Sequence, residues 1–163
     1  MLQVVSIEEL CAGKICALLA RVAPRDLFDV ASFSRVARTA LRRPRFRTLF
    51  VAFAGGAPTH PLQTYQRSRI DRVTKRQIES ELVPMIRGAA PSLRKLREET
   101  WEFVKPLLAL DAAGREFTQR LKEGELKPEI LFPKDRKTAA ALAKHPLLLW
   151  KAENARSHRE RRG

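Results

Sequence analysis

The chain has 163 residues and is 44% hydrophobic, enough for a packed core and too apolar for a disordered segment. Its 32 Lys and Arg against 18 Asp and Glu give a net charge of +14, which favours polyanionic partners (RNA, DNA, a membrane surface) or an acidic protein. Two cysteines exclude a disulfide scaffold and a zinc site, and no apolar run approaches the roughly 20 residues that span a bilayer.

The N-terminal run Leu2 to Val5 reads as the tail of a strand. Ser6 followed by Glu9 is a capping box that predicts a helix start. Ile7, Leu10, Cys11, Leu18 and Val22 then fall on one face at helical spacing. Lys14 projects into the middle of that stripe, with Arg21 seven residues further on the same side. Cys11 and Cys16 point in different directions and read as packed, reduced thiols. Pro24 breaks the pattern and Arg25-Asp26-Leu27-Phe28-Asp29 opens a second helix, with Asp26 and Asp29 sharing a face with Val30 and Phe33.

Two readings of this hairpin stand side by side. In the structural one, Lys14 snorkels to water and the charged residues pair to fasten the two helices. In the chemical one, the hairpin is a half-site: an ammonium holds phosphate oxygens, and a carboxylate acts as base or metal ligand.

The second helix is expected to continue from Phe33 through Ala37 to Leu41. Arg42, Arg43, Arg45 and Arg47 follow, either as a solvated helix end or as a nucleic-acid contact patch. Thr48 to Ala54 is an apolar run read as a helix that starts near Arg45 and stops at Gly55 and Gly56. Pro58 and Pro61 predict an extended connection, and His60 within it reads as a surface residue. Ile70 to Ile86 has the period of an amphipathic helix that Pro84 bends or ends. Ser92 caps a helix running past Trp101 and Phe103 towards Pro106, and Asp111 to Gly114 is a turn or cap before a short helix with Phe117 and Leu121 inward. Gly124 ends that helix, and Leu126 to Pro133 should be extended. Lys134 to Lys144 is helical with Asp135 in its first turn. Leu147, Leu148 and Trp150 are expected to dock on the core, and the tail from Ser157 to fray. No linker-like composition divides the chain, so it reads as a single helical domain over residues 1–163, with the hairpin in 1–33 and a basic tail in 157–163. Glu8 and Glu9 stand where a signal peptide would need a basic and then apolar run, and the expected location is the cytoplasm.

The hairpin resembles the AbiEii-type nucleotidyltransferase toxins of type IV toxin–antitoxin and abortive-infection systems. Lys14-Ile15-Cys16-Ala17 looks like that family's K-x-x-A helix, and Arg25-Asp26-Leu27-Phe28-Asp29 like its R-D-x-x-D motif. Leu126 to Phe132 and His145 to Lys151 look like its closing segments. The resemblance implies nucleotidyl transfer from a nucleoside triphosphate to an acceptor such as tRNA, with Mg2+ and an NTP as cofactors and an antitoxin protein as partner. It also implies Lys14 and Asp26 as catalytic residues, with Arg21, Arg25 and Asp29 binding or orienting the nucleotide.

The family's first motif, a Gly-Ser followed by a metal-binding carboxylate pair, has no counterpart, because no Gly-Ser occurs in the sequence. The expected fold is therefore mainly α: the multi-helix C-terminal region of a nucleotidyltransferase-like protein lacking the N-terminal α/β catalytic core, with no metal ligands of its own. Such a chain would be inactive alone unless a separate polypeptide carried the missing core. The alternative from another class is a non-catalytic basic helical module that binds nucleic acid or an antitoxin-like partner.

Overall fold

Ser6 starts the first helix as the capping box requires: its hydroxyl accepts the Glu9 N–H at 3.2 Å, and the Glu9 carboxylate accepts the Ser6 N–H at 2.9 Å. In the computed structural model, which describes residues 6–56, 65–89 and 91–161, this helix, α1, spans Ile7–Arg21. It ends at Val22, whose φ of 55° and ψ of 48° are left-handed, a costly conformation for a β-branched residue. Ala23 then leads into α2, Pro24–Val36, with Pro24 at the first helical position, where its missing N–H costs nothing.

The buried face of α1 is Glu8, Cys11, Ala12, Ile15, Leu18 and Leu19, rotated from the predicted stripe. Ile7 and Leu10 stay exposed. The rotation follows from packing on two neighbours at once: α1 lies against both α2 and α4, Pro44–Gly55, and the small Cys11 and Ala12 admit close approach.

The predicted continuation of α2 to Leu41 breaks at Ala37, and a four-residue α3, Arg38–Leu41, follows. The helix α4 starts one residue before the predicted Arg45 and ends at the predicted glycines. It is buried on opposite faces. Phe46, Phe50 and Ala54 belong to an apolar cluster with α1, α2 and α7, while Leu49, Val51 and Ala52 belong to a second cluster with the C-terminal helices. A Cβ on Gly55 would meet Phe117 and Leu121 at 3.2 Å, so the glycine permits the close approach of α4 to α8, Ala112–Lys122.

The helix predicted over 70–86 is split. After α5, Arg67–Ile70, the chain turns, and a Thr74 capping box begins α6, Lys75–Gln77. The winding then widens to a π-helix over Ile78–Leu82 and tightens to a 3-10 turn over Val83–Met85, around Pro84, which has no N–H to donate. Helix α7, Leu93–Val104, is capped by Ser92 and passes into a 3-10 turn, Lys105–Leu107, at Pro106. Asp111 caps α8 by accepting the Gly114 N–H at 2.8 Å, and Gly124, at φ 89°, follows its end.

The segment expected to be extended from Leu126 to Pro133 contains a 3-10 turn, Pro128–Ile130. Asp135 is the N-cap of α9, Arg136–Ala143, rather than a first-turn acid. Helix α10, Pro146–Glu160, carries regular structure through most of the tail expected to fray. Only Leu148 of the predicted anchors is fully buried, while Leu147 and Trp150 remain exposed, because α10 contacts its neighbours along a narrow line through Leu148 and Ala152.

The described residues contain helices and no strand, so the fold is mainly α. No helix among them is long and apolar enough to cross a membrane. The expectations for Leu2 to Val5 and for His60 and its flanking prolines lie outside the described residues.

Candidate functional site

The turn at Val22 and Ala23 folds α2 back along α1, so that partner numbers fall on one helix as they rise on the other. Near the turn, Arg21 grips Asp26 with both arms: Nε donates to Oδ2 at 2.6 Å and Nη2 donates to Oδ1 at 2.9 Å. Asp26 is fully buried, while the Arg21 side chain is 65% exposed. The hydrogen bond to Asp26, with its negative charge, pushes the Arg21 guanidinium pKa further above its usual range. Farther from the turn, Lys14 Nζ donates to Asp29 Oδ2 at 2.7 Å, and both side chains are partly open to water. Arg25 lies one helical turn before Asp29 on the same face, exposed and without an ion pair among the described residues.

All five residues predicted for the site are thus brought together in one hairpin, but not in equal states. Both oxygens of Asp26 are engaged and no water reaches it, so it is not available to a substrate hydroxyl. Lys14, Arg25 and Asp29 form the open part. An ammonium and a free guanidinium flanking one accessible carboxylate suit phosphate oxygens. They do not suit a divalent cation: both aspartates already accept hydrogen bonds from cationic side chains, and no group of three or more His, Cys, Asp or Glu converges among the described residues.

Of the four arginines predicted as a single contact patch, Arg42, Arg43 and Arg47 line one cavity and Arg45 does not. Arg45 is held by Glu8 at 2.6 Å and reaches Thr138 at 3.3 Å and Asp135 at 3.9 Å, tying α1, α4 and the start of α9 together. The Thr138 hydroxyl and N–H donate to Asp135 and hold its carboxyl pKa below the usual value, with Arg45 adding a smaller effect. Arg47 donates to the Ala109 carbonyl. Arg42 and Arg43 are exposed without partners among the described residues. Arg38, not singled out from the sequence, lies with them around one cavity, and its signal was the four-residue spacing to Arg42.

The helical hairpin thus presents an ammonium, a guanidinium and a carboxylate at one open edge. The chain matches the model of a family described as the nucleotidyl transferase AbiEii toxin of type IV toxin–antitoxin systems, over residues 1–141. It belongs to that family. The match covers most of the chain and does not divide it into a helical part and an absent α/β core. No curated protein and no solved structure matches.

Proposed function

We propose that this chain supplies the triphosphate-holding side of a nucleotidyltransferase toxin, with Lys14, Arg25 and Asp29 at the reacting edge. The observation that carries the reading is the open Lys14–Asp29 pair at 2.7 Å with Arg25 unpaired one turn away. An arriving triphosphate competes with Asp29 for the ammonium of Lys14. As Lys14 turns to the phosphate oxygens, Asp29 is freed to take the proton of an acceptor hydroxyl. The hydroxyl oxygen bonds to the α-phosphorus, the α–β phosphoanhydride bond breaks, and Lys14 and Arg25 offset the charge of the departing pyrophosphate. In this reading Asp29 takes the base role expected for Asp26, and the Arg21 clamp on buried Asp26 positions the helix that carries it.

The Mg2+ that the family implies would supply further neutralisation of phosphate charge. In this reading the carboxylates that would hold it come from a separate polypeptide, and the helical chain alone would bind a triphosphate without turnover. The acceptor in this reading is a tRNA end, the site of action the cytoplasm, and the restraining partner an antitoxin.

Titration of the chain with each nucleoside triphosphate tests the reading. Lys14→Ala should weaken affinity by about tenfold or more, since a charge-assisted phosphate contact contributes on the order of 1.5–3 kcal/mol. Equal affinity for wild type and Lys14→Ala would sink it.

The unpaired Arg42 and Arg43 favour one alternative, a basic helical module that binds nucleic acid or an antitoxin-like partner without catalysis. RNA binding that weakens steeply with salt and ignores Lys14, with no triphosphate binding, would select that alternative.

A further inference from the structure

A cleft of about 830 Å³ lies between α3 and the start of α4 on one side and α7 with its 3-10 extension on the other. Its walls carry opposite charge. Arg38, Arg42 and Arg43 line one wall, without acidic partners among the described residues. Glu102 stands on the facing wall, exposed and likewise unpaired, with Asp111 beyond it and Phe103 and Leu107 adding apolar surface. The cleft is held at two points: Arg35 donates to Glu99 at 3.2 Å between α2 and α7, and Arg47 donates to the Ala109 carbonyl.

Of the four arginines that line the cleft, Arg47 is held by the Ala109 carbonyl, while the guanidinium groups of Arg38, Arg42 and Arg43 repel one another, and an anion relieves that repulsion. The start of the twelve-residue α4 opens on the same rim, with Pro44 first, no side-chain cap and no acid in its first turn, so its positive end adds to the attraction. The facing carboxylate then decides what kind of anion fits. A uniformly acidic peptide would bring its charges against Glu102 and Asp111. A nucleic-acid duplex is too wide for a cavity of nucleotide size. A single nucleotide unit satisfies both walls: its phosphate meets the arginines, and the amino group of its base donates to Glu102, as a carboxylate accepts from cytosine N4.

We propose that this cleft is a second nucleotide-binding site, separate from the Lys14–Asp29 edge, that holds phosphate against Arg38, Arg42 and Arg43 and reads an amino-bearing base with Glu102. The unit is either a free nucleotide or one residue of a single strand, since both carry the same chemistry.

Fluorescence anisotropy with labelled oligocytidylate and oligouridylate of about 12 nucleotides tests this on the full chain. Arg42→Glu with Arg43→Glu should weaken oligocytidylate binding about tenfold or more, and Arg42→Gln with Arg43→Gln should do so in part while keeping the wild-type circular dichroism spectrum. Glu102→Gln should remove the preference for cytidylate over uridylate while leaving the salt dependence in place. Competition by cytidine monophosphate at similar affinity identifies a free nucleotide, whereas binding of the oligomer alone identifies a strand. Lys14→Ala should leave all of this unchanged, which separates the result from the triphosphate reading. The proposal is overturned if the arginine variants bind as wild type does, if Glu102→Gln leaves the base preference unaltered, if Lys14→Ala abolishes binding, or if polyglutamate binds where nucleotides do not.

Discussion

The two ends of the α1–α2 hairpin carry the same kind of ion pair in opposite circumstances. At the turn, Asp26 is sealed from water beneath a bidentate arginine. Two turns along α1, the Lys14–Asp29 pair is a single contact at an open edge. Burial raises the cost of separating the first pair, because a lone carboxylate would be left without solvent, whereas either member of the second can be rehydrated. One end of the hairpin therefore fastens and the other can exchange partners.

The sharpest way to break that comparison is Arg21→Ala, which strands the buried Asp26. It should lower stability by about 2–3 kcal/mol, toward the low end for a buried pair because Arg21 itself is open to water, and urea unfolding measures it. Asp26→Asn keeps the shape and leaves a hydrated Arg21, so its cost should be smaller, about 1–2 kcal/mol by the same measurement.

The thiols of α1 sharpen the comparison from the apolar side. Burial pushes Cys11 up to about 11 and Cys16 up to about 12, from an ordinary value of 9.0. The folded state thus keeps protons that the unfolded chain has lost. Their contribution to stability is complete well below pH 9 and declines as pH rises through 9 toward 12, and a variant with both cysteines changed to Ala should show a flatter profile over that interval. Smallest of all, Lys14→Ala and Asp29→Asn should each change stability by less than about 1 kcal/mol while the first still impairs triphosphate binding. A large loss of stability in Lys14→Ala would make the two ends alike.

The hairpin was legible because its punctuation is local. Ser6 with Glu9, Pro24, Asp111 and Gly124 each fix an end of a helix through their own backbone chemistry. Which aspartate would be buried was not legible. Asp26 and Asp29 share a helical face by spacing, and the choice between them is made by tertiary packing on α2, which lies against α1, α7 and the π-helix at once. The arginines after Leu41 were equivalent as a charge run. Pro44 sets the phase of α4, and that phase turns Arg45 toward Glu8 and Arg47 toward Ala109 while leaving Arg42 and Arg43 outside. Ile7 and Leu10 matched a stripe that two-sided packing then displaced.

The position of α4 bears on how the chain acquires its structure. Each apolar cluster uses a different face of this one helix, so neither can close before α4 has formed, and the first cannot be completed by residues that leave the second uncovered. Truncation after Gly124 would remove Leu131, Phe132, Leu142, Leu148 and Ala152 from the second cluster, leave only α8 against that face of α4, and invite self-association. In hydrogen exchange, the amides of α4 should be the last to open, released only when both clusters come apart together.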